Sequence, residues 1–73
     1  MNVIGKRIAI ARKAAKLTQD QTASAISVHK QTISRWESGK RIPDAVQVAA
    51  LAVAFGCTTD FLLGLSDTLI VRK

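Results

Sequence analysis

Lys30, Gln31, Thr32 and Arg35 carry functional groups that pair with the edges of nucleic-acid bases, and they fall within six residues of one another. A glutamine amide bonds bidentately to adenine, an arginine or lysine bonds guanine, and a threonine methyl can meet thymine. Each well-formed pair is worth about 1–3 kcal/mol of discrimination. Around these residues stand groups suited to phosphate. Gln19 opens one helical segment, His29 precedes another, and Lys40 and Arg41 form a basic loop. Helix N-termini and basic loops hold phosphates without reading sequence. Ser34 is small and allows close approach. Each residue also has a plain alternative: Arg35 as a solvated charge or a partner of Glu37, Thr32 bonded back to its helix, His29 as a helix cap.

Other chemistry is thinly provided. His29 is the single histidine and Cys57 the single cysteine, so no metal site and no intrachain disulfide is expected. There is no Cys/His dyad, no Ser/His/Asp set, no phosphate-binding glycine loop and no carboxylate pair at a plausible spacing. The expectation is a non-enzyme without cofactor. Cys57 follows the helix-ending Gly56 and reads as a buried free thiol rather than a redox sensor.

Charge separates the chain into two parts. Residues 1–41 hold nine Lys/Arg (Lys6, Arg7, Arg12, Lys13, Lys16, Lys30, Arg35, Lys40, Arg41) against Asp20 and Glu37, a net +7. Residues 42–73 hold Arg72 and Lys73 against Asp44, Asp60 and Asp67, a net −1. Such asymmetry points to a polyanion partner, with a merely solvated basic surface as the alternative. Arg7, Arg12 and Lys13 serve equally as flanking contacts or as a solvated face. The 73 residues suffice for one domain with a modest core. A 48% apolar and 22% charged composition is that of a folded globular chain. No apolar run approaches the roughly 18 residues of a membrane span, and the N-terminus lacks a signal-peptide shape. A cytoplasmic location is the resulting expectation.

Five helical segments position these residues. The first runs from about Asn2 to Ala15, with Ile4, Ile8, Ala11 and Ala15 on one face. The second starts at Thr18, where Thr18 and Gln21 form a capping box, turns Ala23 and Ile26 inward, and ends near Ala25 or Ile26. The third runs from about Lys30 to Glu37 and stops at Gly39. Val28 and Ile33 have the spacing of a hydrophobic staple around His29, and Ile33 and Trp36 share the inward face. Asp44 and Gln47 begin a fourth helix, whose Val46, Ala49, Ala50, Val53 and Ala54 make it nearly apolar all round and place it mid-domain. A short fifth helix runs from about Thr59 to Leu63 between Thr58 and Gly64. Thr68–Val71 reads as a short strand or as a tail seeking a partner. The second and third helices are joined by only Ser27 to His29, so they cross steeply. That arrangement sets one helix in a major groove about 12 Å wide while the other lies across the backbone.

The stretch Leu17-Thr18-Gln19, with Ile33-Ser34-Arg35-Trp36-Glu37-Ser38-Gly39-Lys40-Arg41-Ile42-Pro43, resembles the Cro and phage-repressor type of helix-turn-helix domain, the XRE family. The segment Ala52–Leu63, ending Phe61-Leu62-Leu63-Gly64, is similar to that family's closing helices. The resemblance covers roughly residues 4–64 and lies in the combination, not in any one tripeptide. It implies an all-α fold, a compact five-helix bundle, with residues 1–64 as the DNA-binding domain and 65–73 as a C-terminal tail. It implies a transcriptional regulator of Cro-like or small phage-repressor kind, bound as a homodimer to a two-fold double-stranded DNA operator. It assigns Lys30, Gln31, Thr32 and Arg35 to base reading. Gln19, His29, Ser34, Lys40 and Arg41 fall to the DNA backbone. Three residues depart from the family pattern: Ser27 replaces a turn glycine, Thr22 a leucine and His29 a capping Ser or Thr. Some of Phe61, Leu62 and Leu65, with Leu69–Val71, are expected to form the dimer contact. An antitoxin or other protein-interaction module on the same fold, docking through the apolar tail, is the alternative.

Overall fold

In the computed structural model, which describes residues 3–69, five helices follow in the expected order. They are α1 (Val3–Ala14), α2 (Gln19–Ala25), α3 (Lys30–Ser38), α4 (Ala45–Phe55) and α5 (Thr59–Leu63). The fold is all-α, and no strand occurs among the described residues. Residues 66–69 of the expected strand or tail are irregular, and Ile70 and Val71 lie outside the described residues, as does the expected helix start at Asn2.

Local chemistry sets the helix ends. Thr18 Oγ1 accepts from the Gln21 amide at 3.0 Å, and Gln21 Oε1 accepts from the Thr18 amide at 2.9 Å. Asp44 and Gln47 repeat this reciprocal cap at 2.8 and 2.9 Å. Thr58 Oγ1 caps α5 by accepting from the Phe61 amide at 3.1 Å. Each such cap satisfies an N–H that has no intrahelical partner. Gly39, at φ 82°, turns the chain sharply out of α3.

Ile8, Ala11, Ala23, Ile33, Trp36, Val48, Leu51, Phe55, Phe61 and Leu62 form the core, with Ile4, Ala15, Leu17, Ile26, Val28 and Leu69 packed around it. The α1 face and the inward side of α3 match the sequence reading. Trp36 is a core residue. Helix α4 does not. Its buried face is Val48, Leu51, Ala52 and Phe55, while Val46 and Val53 are 78% and 84% exposed and Ala49 also faces out. Both stripes have helical period. The one bearing Leu51 and Phe55 offers more apolar area, so it goes inside. Thus α4 lies against the bundle with one face in solvent rather than at its centre.

Thr22, where the resemblance leads one to expect leucine, is fully buried, and its hydroxyl donates to the Thr18 carbonyl at 2.9 Å. The polar atom is thereby satisfied inside the core. Cys57 is half-buried rather than buried, and burial pushes its thiol pKa up. Phe61 and Leu62 are core and unavailable for pairing, whereas Leu65 is exposed. Beyond Gly64, residues 66 and 67 are held against the bundle. Arg7 stacks over the Phe61 ring at 4.5 Å and donates to the Ser66 carbonyl at 2.8 Å and to Asp67 at 2.7 Å.

Candidate nucleic-acid interface

The turn between α2 and α3 is built with a serine in the left-handed region: Ser27 has φ 59°. An L-residue there costs roughly 1–2 kcal/mol. Two backbone bonds brace it, from the Ser27 amide to the Ser24 carbonyl at 3.4 Å and from the Val28 amide to the Ala23 carbonyl at 3.0 Å. His29 then takes the N-cap position of α3 with extended backbone, but its side chain makes no capping bond and is exposed. Just before it, half-buried Val28 packs against the core that holds Ile33.

With Ile33 and Trp36 sealed inside, the outward arc of α3 is decided by about 100° of rotation per residue. Lys30, Gln31, Ser34, Arg35 and Ser38 are exposed along it. Gln31 and Ser38 sit near its middle, with Ser34 and Arg35 to either side and Lys30 at the margin. Thr32 is half-buried on the flank, in a shallow cleft with His29, Trp36, Arg41 and Gln47. Lys30 lies 3.9 Å from Asp20, and both side chains are exposed. The pair holds Lys30 only weakly. Arg35 makes no ion pair among the described residues.

The loop after α3 folds back over its last turn. The Lys40 and Arg41 amides both donate to the Arg35 carbonyl, at 2.9 and 3.2 Å. Both side chains are exposed, so two cations stand next to the arginine of α3. At the other border, Gln19 Nε2 donates to Glu37 Oε1 at 3.2 Å, tying the first residue of α2 to α3.

Two residues of this site escaped the sequence reading. Glu37 is paired with Arg12, not Arg35: Arg12 Nε donates to Glu37 Oε2 at 2.7 Å, and Nη2 to Oε1 at 3.2 Å. Their side chains are 13% and 11% exposed. A separation of 25 residues leaves no local pattern to find. Gly5 is the other. A Cβ built there would lie 2.3 Å from the Trp36 carbonyl oxygen and 3.0 Å from that of Glu37, so only glycine lets α1 seat against the end of α3. A glycine inside an apolar helical pattern was the available signal. Conversely, Arg7 and Arg12, read as flanking contacts or a solvated face, are not a freely solvated face. Both are engaged within the protein.

The sequence model of the helix-turn-helix family matches residues 8–62. The chain is 33% identical over 61 residues to the HTH-type transcriptional regulator ImmR of Bacillus subtilis (strain 168), covering 84% of this chain and 48% of that one. It is likewise 33% identical over 61 residues to Repressor protein C2 of Salmonella phage P22, covering 84% of this chain and 28% of that protein. The chain thus spans about half or less of the length of these curated relatives. Among solved structures, the DNA-binding domain of the P22 c2 repressor in solution matches with a TM-score of 0.79 and 34% identity, over 89% of this chain and 88% of that one. The P22 c2 repressor in complex with synthetic operator 9T matches with a TM-score of 0.76 and 33% identity, over 82% and 91%. Among the described residues no helix is long and apolar enough to cross a membrane.

Proposed function

The chain belongs to the helix-turn-helix family, and from that membership we propose that it is a sequence-specific double-stranded DNA-binding transcriptional regulator, a small repressor of the phage type. The observation that carries this reading is the two-sided character of α3. Ile33 and Trp36 lock one side into the core, while Lys30, Gln31, Ser34 and Arg35 are left outside. In this reading Lys30, Gln31, Thr32 and Arg35 read bases. His29, Ser34, Lys40 and Arg41 hold the backbone, with Gln19 at the start of α2. Thr32 reaches its base from the flank of the helix, and the small Ser34 lets the backbone approach closely beside Gln31. Residues 1–64 act as the DNA-binding unit and 65–73 as its tail. The protein works where DNA is, in a bacterial cytoplasm or a phage-infected host.

The protein acts as a homodimer whose recognition helices meet major grooves about 34 Å apart, one helical turn. A charge-free surface supports pairing with a second copy. Residues 45–59 contain no charged side chain, and Val46, Ala49 and Val53 form an outward stripe within them. Two chains of net charge +6 repel, and this is a face on which they can meet without opposing like charges.

Selection from a random duplex pool, followed by binding assays on selected and random duplexes, tests the reading. Arg35→Ala is expected to relax preference at one base pair, by about 1–3 kcal/mol. Lys40→Ala is expected to weaken all sequences alike and to lower the salt slope by about 1. Equal loss on selected and random duplex for Arg35→Ala would remove that residue from base reading.

A further inference from the structure

We infer that residues 65–69 are a strap latched by Arg7, an autoinhibitory contact that folds Leu69 onto the chain's own bundle and withholds it from a partner until the latch opens. The folded unit then runs to residue 69 rather than 64. The apolar tail that reads in the sequence as seeking a partner begins with one inside the same chain.

The strap is built in steps. Gly64, at φ 81°, ends α5, and the Leu65 and Ser66 amides both donate to the Asp60 carbonyl, at 2.8 and 3.3 Å. These bonds tie the first strap residues to α5. Ser66 Oγ then accepts from the Thr68 amide at 3.2 Å, a local turn. Just past it, half-buried Leu69 packs against the core. Arg7 reaches the strap from α1. Its guanidinium lies over the Phe61 ring at 4.5 Å, a contact in which the strap has no part. From there Nη1 donates to the Ser66 carbonyl at 2.8 Å and Nη2 to Asp67 Oδ1 at 2.7 Å.

The two halves of the latch differ in strength. The Asp67 side chain is 97% exposed, so its ion pair is weak and screened by salt. The Arg7 side chain is only 20% exposed, and its bond to the Ser66 carbonyl has a charged donor, which makes it the stronger half. Phe61 holds the guanidinium in place with the strap on or off, so the latch is preformed and recloses with little further ordering. Against this, the strap has no helix of its own, and Leu69 is its one apolar contact with the core. Segments with so few buried contacts open at lower cost than the whole fold. The strap therefore opens while the bundle stays folded. A partner that needs Leu69 binds only the open form, and its apparent affinity falls by the fraction of chains that are open.

The test is native-state cleavage of the full chain by thermolysin, which cuts before large apolar residues. The Thr68–Leu69 bond reports strap opening, and the Ala50–Leu51 bond, at a fully buried leucine of α4, reports global unfolding. In the wild type the strap bond should be cut faster than the α4 bond. Arg7→Gln is expected to speed the strap cut by about tenfold or more, the loss of a bond from a charged donor, with a smaller change at the α4 bond. Asp67→Asn touches only an exposed side chain and should speed the strap cut roughly two- to fivefold, with the α4 bond unchanged. In the Arg7→Gln background it should add nothing, because both act through one guanidinium. Heteronuclear NOEs of residues 66–69 in about 1 M salt should bring the wild type to the level of Asp67→Asn and leave it above Arg7→Gln.

Three results would overturn the inference. One is a strap bond cut no faster than the α4 bond in the wild type, which would mean no separate opening. Another is an Arg7→Gln variant that speeds both bonds equally, which would make Arg7 a support of the whole bundle. The third is an Asp67→Asn variant cut at the wild-type rate in low salt, which would leave the strap without its salt-sensitive half.

Discussion

Gly5→Ala sets two effects of opposite sign against each other. By helix propensity alone, alanine in the first half of α1 should stabilise the protein by about 1 kcal/mol. Packing opposes it. The new methyl would lie 2.3 Å from the Trp36 carbonyl oxygen, well inside the 3.0 Å that such contacts respect, and 3.0 Å from the Glu37 oxygen. Both obstructions are backbone atoms, so no rotamer change relieves them, and α1 must lift from the end of α3 by about 0.7 Å. Overpacking of this kind costs about 1–3 kcal/mol, and the rigid partners put it at or above the upper end. The net is a loss of about 2 kcal/mol. In a domain of this size that corresponds to a fall in Tm of roughly 8–16 °C. Thermal and urea melts followed by circular dichroism read it directly. The seat of α3 also orients its outward face, so DNA affinity should drop at temperatures where the variant is still folded. A Tm equal to or above that of the wild type would refute the close approach of α1 to Trp36 as the reason for this glycine.

Ser27→Gly should stabilise the protein by about 0.5–1 kcal/mol in urea melts. It removes the cost of a left-handed serine and adds back part of that as glycine's unfolded-state entropy. A decrease would mean that the serine side chain itself holds the turn. Cys57 should react with iodoacetamide at pH 8 more slowly in the folded chain than in urea, since burial raises its pKa. Because the fold prefers the neutral thiol, the stability linked to it is complete below the unfolded pKa and is lost as pH rises through the folded one, confining the effect to alkaline solution. Equal labelling rates would contradict it. Val46→Glu with Val53→Glu, both on the solvent face of α4, should leave the melt unchanged and weaken self-association in sedimentation equilibrium. Pairing as strong as the wild type's, or a wild type still monomeric at millimolar concentration in 0.5 M salt, would reject that face.

What could be read from the sequence was what is settled within a few residues. The caps at Thr18–Gln21 and Asp44–Gln47 and the stop at Gly39 each need only neighbours along the chain, and each is present. The division of α3 into an inner and an outer side follows from Ile33 and Trp36 in the same way. Helix α4 was misread because two apolar stripes share one period, and only side-chain size, summed over Leu51 and Phe55, decides between them. The Arg12–Glu37–Gln19 network joins three helices and has no periodic trace. Gly5 could be noticed, but what it approaches lies more than thirty residues away.

That network also alters what the basic composition means. Counted along the chain, residues 1–41 carry a net +7. Counted in the fold, Arg7 clamps residues 66 and 67 against α5, and Arg12 neutralises Glu37 inside the bundle. Both guanidiniums already have partners within the protein. The cations on and around α3 are Lys30, Arg35, Lys40 and Arg41, a smaller set held on a short helix and the loop that folds back over it. A smooth field spread over the first half of the chain would favour any polyanion in any orientation. Four charges around exposed Gln31 and Ser34 favour one register of one helix against a duplex. In the proposed function the internal arginines contribute by holding the helices that present the others. A high formal charge and the proposed specific interface are compatible because part of the charge is paired inside the fold.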